Sequence, residues 1–365
     1  MILHLLTDDK FADYAIEQFS SFPETSEFVV IAFTSDFKYI KNNEKVIYIK
    51  WNKDDIDSLI SSLSKYSGVV FHGMFYPWQE DIINNLDKQK IAWMFWGGEI
   101  YGRDEVSNTF LAPKSKLLLQ LYNIKNRLQG KKQDTIYSLP VELYKKVDYC
   151  LTDMQNEFDY AKQLLDNQMQ MIWYNYYSIE DTVGSLINSR STGKDVFLGN
   201  SCTIENNFLE AFYTLRRLRL NNNRVIVPLS YGSPWLKNIL LKLGKLYFKK
   251  NFLPLIDFLP REEYNSYMTN CGVMIMNHYR PQAQGNIITG LWLGMRVFLS
   301  KKNITYQYFK DNGIILYSIE DDLNKNIELN PLNDEELQHN RAILYRLYSK
   351  ESTLQATKNV IDKLN

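Results

Sequence analysis

The residues with the clearest chemistry lie in short polar segments, each following an apolar run. Asn277-His278-Tyr279-Arg280-Pro281-Gln282-Ala283-Gln284-Gly285-Asn286 follows an apolar run at 273–276 and precedes an apolar helical pattern. A guanidinium such as that of Arg280 carries a planar fork of donors that matches a diphosphate. Gly285 and Asn286 fall where a helix would begin, so their N–H groups can point at an anion. Gln282 and Gln284 can bind sugar hydroxyls or a base. The competing reading is a polar loop with a capped helix. Phe197-Leu198-Gly199-Asn200-Ser201 runs from a strand pattern into small polar residues and then a helix. Asn200 and Ser201 there suit a phosphate at a helix dipole, or merely a turn and an N-cap. Ser230 and Tyr231 close the strand pattern at 225–228. Ser230 could bind phosphate and Tyr231 could stack on a base or sugar, and the alternative is a Gly/Pro-rich connection.

Two further residues could move protons. His72, in Phe71-His72-Gly73, ends a strand pattern where a general base could sit, although a lone His is more often structural. Glu99, in Trp96-Gly97-Gly98-Glu99, sets a carboxyl beside a glycine turn among aromatics. It could deprotonate an acceptor hydroxyl or act only as an N-terminal acid. The segment 114–132 carries Lys114, Lys116, Lys125, Arg127, Lys131 and Lys132 among leucines, with no acid. A basic amphipathic helix suits an anionic membrane surface, and equally a solvated helix with one buried stripe. No GxxxxGK[ST], GxGxxG or GxSxG occurs. Asp55-Ile-Asp57 has a metal-binding spacing but sits at a helix start, and with only four His no metal or other cofactor is expected.

The elements that must position these residues follow a parallel α/β pattern. Apolar runs at 2–6, 28–33, 46–51, 68–71 and 91–96 alternate with helical stretches at 11–20, 54–64 and 79–86. Runs apolar throughout, rather than alternating, fit strands buried on both faces. The logic repeats with strands at 196–198, 224–228, 254–258, 273–276, 297–300 and 314–317, and with a helix over 334–365. The polar stretch 189–194 marks a boundary. The expected fold class is therefore α/β, with two doubly wound Rossmann-like domains facing a cleft. The expected domains are 1–188, 189–335, and a C-terminal helix 336–365 packing back on the first.

Composition sets outer bounds. Lys+Arg and Asp+Glu number 42 each, so no global field attracts nucleic acid, and no nucleic-acid partner is expected. Cys150, Cys202 and Cys271 are widely spaced, which fits neither a disulfide framework nor a zinc site. MILHLLTDDK lacks the basic start and long apolar run of a secretory signal, and no stretch reaches the ~18 apolar residues of a membrane span. A cytoplasmic location is expected.

Taken together, these segments resemble the TDP-N-acetylfucosamine:lipid-linked-acceptor N-acetylfucosaminyltransferases, the 4-acetamido-4,6-dideoxygalactose transferases of enterobacterial common antigen assembly. The matching blocks are Phe71-His72-Gly73 with Pro77, then Trp93 and Trp96-Gly97 with Tyr101, then Leu198-Gly199-Asn200-Ser201 with Asn206. They continue through Val227-Pro228 with Tyr231 to Arg280, Gln282 and Gly285, in order across residues 68–300. The resemblance implies a metal-independent GT-B enzyme with the nucleotide-sugar donor mainly on the C-terminal domain. It also implies a polyprenyl-diphosphate-linked acceptor and a peripheral position on the cytoplasmic face of the inner membrane, with the basic 114–132 segment against the lipid. Glu99 stands where the family typically has Asp, Phe208 where a His is expected, and Pro281 interrupts the Arg-Gln-Gln run. Three alternatives stay open: a GT-B enzyme using a UDP- or GDP-sugar, a non-catalytic two-lobed binding protein, and a scaffold subunit. Neither the exact sugar nor the stereochemical outcome is written in the sequence.

Overall fold

The computed structural model describes residues 1–41, 43–130, 137–218, 220 and 222–365. Lys131 and Lys132 lie outside the described residues. The chain forms two compact units. The first takes Met1–Arg103, a stretch that ends at Ser178, and Tyr348–Asn365; the second takes a stretch that begins at Asp104, and Ile179–Leu347.

The first unit is built on seven parallel strands: β1 (Ile2–Leu6), β2 (Ser26–Ala32), β3 (Val46–Lys50), β4 (Gly68–His72), β5 (Lys90–Met94), β6 (Tyr149–Thr152) and β7 (Gln170–Trp173). Their spatial order is β3-β2-β1-β4-β5-β6-β7. Every residue of β1 and β4 is buried, which is why, apart from His4 and His72, their sequences are apolar rather than alternating. β6 and β7 are absent from the sequence expectation. Each is only four residues long, and Tyr149 and Gln170 interrupt the apolar signal.

The second unit has six parallel strands: β8 (Asp195–Leu198), β9 (Val225–Pro228), β10 (Phe252–Leu255), β11 (Cys271–Met276), β12 (Arg296–Leu299) and β13 (Tyr317–Ser318). They are ordered β10-β9-β8-β11-β12-β13. β10 sits earlier than the expected 254–258, because Phe252 pairs with Val225 and Leu255 with Pro228. β13 is a two-residue pairing of Tyr317 and Ser318 with Phe298 and Leu299, not a strand over 314–317.

In each sheet the strand order reverses once, between β1 and β4 and between β8 and β11. Loops leaving the carboxyl ends on either side of such a reversal run to opposite faces and leave a crevice for a ligand.

The units divide the chain differently from the expected 188/189 boundary. They separate at Ser178/Ile179 because helix Ile179–Val183 packs on helix Gln284–Trp292, and because Trp292 Nε1 donates to the Ile187 carbonyl at 2.9 Å. Helix Pro113–Leu128 also belongs to the second unit, where Leu118 joins the core and Tyr122 stacks on Trp235 at 4.0 Å. Its N-terminus is held by the Glu210 carboxylate, which accepts from the Lys114 and Ser115 amides and the Ser115 hydroxyl. The expected single C-terminal helix is two, Asp334–Tyr348 and Lys350–Leu364, divided at Ser349. The Ser349 side chain caps the second helix by accepting from the Ser352 amide.

Helix Lys350–Leu364 buries Thr353, Ala356, Thr357, Val360, Ile361 and Leu364, spaced three or four apart along one face. That face completes a core with Ala12, Ala15, Ile16 and Phe19 of helix Ala12–Ser20. Replacing the buried Ile361 leaves a cavity there. Ile361→Ala should lower unfolding free energy by about 2–5 kcal/mol in urea titrations, whereas exposed Lys358→Ala should leave the midpoint nearly unchanged.

Candidate active site

In the first unit the chain leaves β5 through Phe95-Trp96-Gly97. Gly97 holds φ +88°, a left-handed turn that a side chain would strain. The turn opens the one-turn helix Gly98–Tyr101 and points Glu99 inward. Glu99 is 3% exposed. Its Oε1 accepts from the Met74 amide (3.2 Å), the Trp93 indole (3.1 Å) and the Trp96 amide (3.4 Å). Its Oε2 is buried with no partner among the described residues. Burial raises its pKa to about 7, and the hydrogen bonds to Oε1 oppose that shift. The carboxyl is thus fixed at one oxygen, unpartnered at the other, and ready to change protonation near neutral pH.

His72 is placed otherwise. It ends β4, 2% exposed, with both ring nitrogens engaged. Its Nε2 lies 3.0 Å from His4 Nδ1, and its Nδ1 lies 2.8 Å from the Tyr176 hydroxyl. The chain continues at both ends, through His4 Nε2 to Ser26 Oγ (3.1 Å) and from the Trp96 indole to the Tyr176 hydroxyl (3.0 Å). Burial pushes the His72 pKa down to about 3. Sealed and neutral, His72 has no nitrogen free to take a proton from a substrate. Its visible work is to orient Tyr176 and, through it, Trp96, so the expectation of a base at this position is corrected.

In the second unit the reversal between β8 and β11 gathers most of the expected donor residues. After β8, Gly199 turns at φ +70°, where a Cβ would lie 2.6 Å from the Phe208 ring. Buried Asn206 then ties the loop: its Oδ1 accepts from the Asn200 amide (3.3 Å), and its Nδ2 donates to the Ser201 carbonyl (3.0 Å) and Thr203 Oγ1 (3.1 Å). Ser201 is 3% exposed and its hydroxyl is taken up by Asn206 and Thr203, so it shapes the loop instead of presenting an oxygen. Asn200 stays partly exposed, and its Oδ1 accepts from Gln282 Nε2 at 3.3 Å. The two loops flanking the reversal thereby touch.

The β11 loop is anchored from below by Asn303, whose Nδ2 donates to His278 Nδ1 (2.8 Å) and to the Arg280 carbonyl (3.0 Å). Burial, reinforced by Arg280, pushes the His278 pKa down to about 3. The Arg280 guanidinium donates to the Pro281 carbonyl at 3.2 Å. Gln284 opens helix Gln284–Trp292, so the amides of Gly285 and Asn286 lie in its first turn, where no intrahelical acceptor exists. Asn286 Nδ2 donates to the Tyr264 hydroxyl at 2.9 Å. The β9 loop joins this region through Cys202, whose amide donates to the Tyr231 carbonyl at 2.8 Å. Ser230 is half-buried there and the Tyr231 ring is exposed.

Sequence reasoning missed Tyr264, Asn303 and Tyr176. Asn303 carries a local signal, because its side chain caps helix Ile304–Asp311 by accepting from the Thr305 amide. Tyr264 and Tyr176 carry none, since their roles arise only from packing. Lys114, Lys116, Lys125 and Arg127 are not part of this gathering; they lie exposed along helix Pro113–Leu128.

Two doubly wound parallel units in one chain, each with a single strand reversal, are the arrangement of the GT-B glycosyltransferases. The fold is similar to a glycosyltransferase from Rickettsia africae ESF-5, at 10% identity and TM-score 0.67, covering 100% of this chain and 98% of that one. It is also similar to sucrose-phosphate synthase from Thermosynechococcus elongatus, at 9% identity and TM-score 0.61, covering 100% and 99%. A third is the Anabaena HepE protein in complex with UDP and glucose, at 9% identity and TM-score 0.56, covering 100% and 95%. No curated protein sequence matches the chain. The model of the 4-alpha-L-fucosyltransferases, glycosyl transferase group 56, matches residues 11–331, and the chain belongs to that family.

The raised pKa of Glu99 has a thermodynamic consequence. The carboxyl is neutral in both the folded and unfolded states below its ordinary value of 4.5, and ionises later in the folded state, near pH 7. Folding stability is therefore full below about pH 4.5 and declines as pH rises to about 7, by on the order of 3 kcal/mol. Glu99→Gln removes that decline. Its thermal midpoint should match the parent near pH 4.5 and exceed it at pH 8.

Proposed function

We propose that this enzyme transfers N-acetylfucosamine (4-acetamido-4,6-dideoxygalactose), or a similar 6-deoxy sugar, from a TDP-sugar to a polyprenyl-diphosphate-linked saccharide in surface polysaccharide synthesis. It works as a peripheral protein on the cytoplasmic face of the inner membrane, with Lys114, Lys116, Lys125 and Arg127 toward the lipid. The observation that carries the donor assignment is the convergence of Asn200, Gln282, Arg280 and the first turn of helix Gln284–Trp292 around one strand reversal.

The donor diphosphate lies against the Arg280 guanidinium and the amides of Gly285 and Asn286, which meet its charge. Asn200, Gln282 and Gln284 take sugar hydroxyls, while Ser230 and the exposed Tyr231 contact the nucleoside. Glu99 is the base. The acceptor oxygen bonds to the anomeric carbon as the bond from that carbon to the diphosphate oxygen breaks. The nucleoside diphosphate leaves with the electron pair, and the acceptor proton passes to Glu99 Oε2. Charge that builds on the leaving diphosphate is stabilised by donors already in place, and an Arg280 side chain delivers more there than in the ground state. His72, His4 and Tyr176 hold Trp96 over the Glu99 turn and do not exchange protons with substrate.

Two measurements test the proposal. In calorimetric titrations TDP should bind more tightly than UDP or GDP, and Arg280→Ala should weaken it about tenfold or more. A preference for UDP, the nucleotide bound by the Anabaena HepE protein, keeps the transferase and discards the TDP donor. Lack of binding by any nucleotide discards the donor site. Turnover should rise with pH through a midpoint of about 7 as Glu99 ionises. Glu99→Gln should lower kcat at least 100-fold while nucleotide affinity holds.

A further inference from the structure

Helix Pro113–Leu128 has two unlike long faces. One, carrying Ser115, Leu118, Tyr122 and Asn126, is turned into the second unit. The opposite one carries Leu117, Leu121, Ile124 and Leu128, spaced four, three and four apart, and these are 56, 56, 53 and 83% exposed. Four large apolar side chains in a continuous outward row are not a scatter of surface leucines; such a row marks a surface that meets something.

The charges around the row say what. At 3.6 residues per turn, Lys114 and Lys125 fall along one flank of the row and Lys116 and Arg127 along the other. No Asp or Glu occurs between Glu105 and Asp134, nor between Glu210 and Asp257, in a chain whose acids and bases are equal in number. Glu210 is consumed in capping the helix. The second acid-free stretch packs beside the first. Lys114 lies over the Tyr213 ring of helix Phe208–Leu215, and Arg216 lies over both Tyr213 and Tyr247, the latter on helix Pro234–Phe248. Arg216 and Arg217, then Lys242, Lys245, Lys249 and Lys250, extend the basic surface outward. Among the described residues, none of these cations forms an ion pair.

We infer that this face of the second unit docks on an anionic bilayer, with Leu117, Leu121, Ile124 and Leu128 inserted among the acyl chains. Lys114, Lys116, Lys125, Arg127, Arg216 and Arg217 then lie at headgroup level. An apolar row bordered by cations on both sides fits the boundary between acyl chains and anionic headgroups. The inference rests on the peripheral placement proposed above and adds that the donor-binding unit carries the lipid-inserting face. The sequence had assigned that role to the first domain, because residues 114–132 fall within 1–188.

The test is co-sedimentation of the full chain with phosphatidylglycerol/phosphatidylethanolamine vesicles and with neutral phosphatidylcholine vesicles. The intact chain should bind the anionic vesicles, and less so at high salt. A variant carrying Leu117→Gln, Leu121→Gln, Ile124→Gln and Leu128→Gln should bind at least tenfold more weakly. Arg216→Ala with Arg217→Ala should lower binding about 25-fold at low salt. All six substitutions are at exposed positions, and circular dichroism with thermal melting checks that each variant folds. Equal binding by the intact chain and the four-Gln variant overturns the inference and leaves peripheral placement standing. Absence of vesicle binding by the intact chain overturns both. A dimer in gel filtration that the four-Gln variant breaks, without vesicle binding, overturns the inference by making the face a contact between copies.

Discussion

In a parallel sheet every connection must cross from one end to the other, and the side chains it brings must cover a face. When both faces are to be covered, the direction of winding has to reverse somewhere. In the second sheet that happens between β8 and β11, and the loops leaving those strands run to opposite faces, meeting only through side chains such as those of Asn200 and Gln282. The features of the loops at that reversal follow from this. Gly199 turns tightly because Phe208 crowds it from below, Asn206 and Asn303 tether loops that no strand supports, and a helix N-terminus faces the opening. A site of this kind is built mostly from main-chain direction, with few side chains needed to complete it.

The first sheet reverses at the equivalent point, and its polar residues are treated quite differently. His4 and His72 sit fully inside, each satisfied by a neighbour, so their hydrogen bonds cost nothing in unmet polarity and hold the aromatic rings of Tyr176 and Trp96 in fixed attitudes. Glu99 lies close by with an oxygen left over. A carboxyl oxygen buried with no partner among the described residues is held at a cost to folding, which the hydrogen bonds to its other oxygen only partly offset.

Much of this was written locally. β1 appears in the sequence with its true limits, because four apolar residues around His4 in a fully buried parallel strand leave little choice. The two-unit α/β class and a helix after the β11 loop, expected to start at Gly285 and found to start at Gln284, were legible for the same reason: each is a pattern over a few neighbouring residues. What was not legible depends on distant partners. The sealing of His72 needs His4, from β1, and Tyr176, from the segment after β7. Helix Pro113–Leu128 was recognised by its charge pattern, yet its membership of the second unit depends on Glu210 and Trp235, roughly a hundred residues away along the chain.

Helix Lys350–Leu364 closes the core of the first unit although all of the second unit precedes it in the chain. A ribosome therefore delivers the strands of the first sheet early and this covering helix only after the second unit. While the second unit is being made, the groove awaiting Val360, Ile361 and Leu364 stands open to water and to other nascent chains. The second unit can settle before that helix is made, whereas the first must wait for it. Completion of the first unit is thus gated by helix Lys350–Leu364, and chaperone demand should fall on the half of the molecule whose strands are translated first.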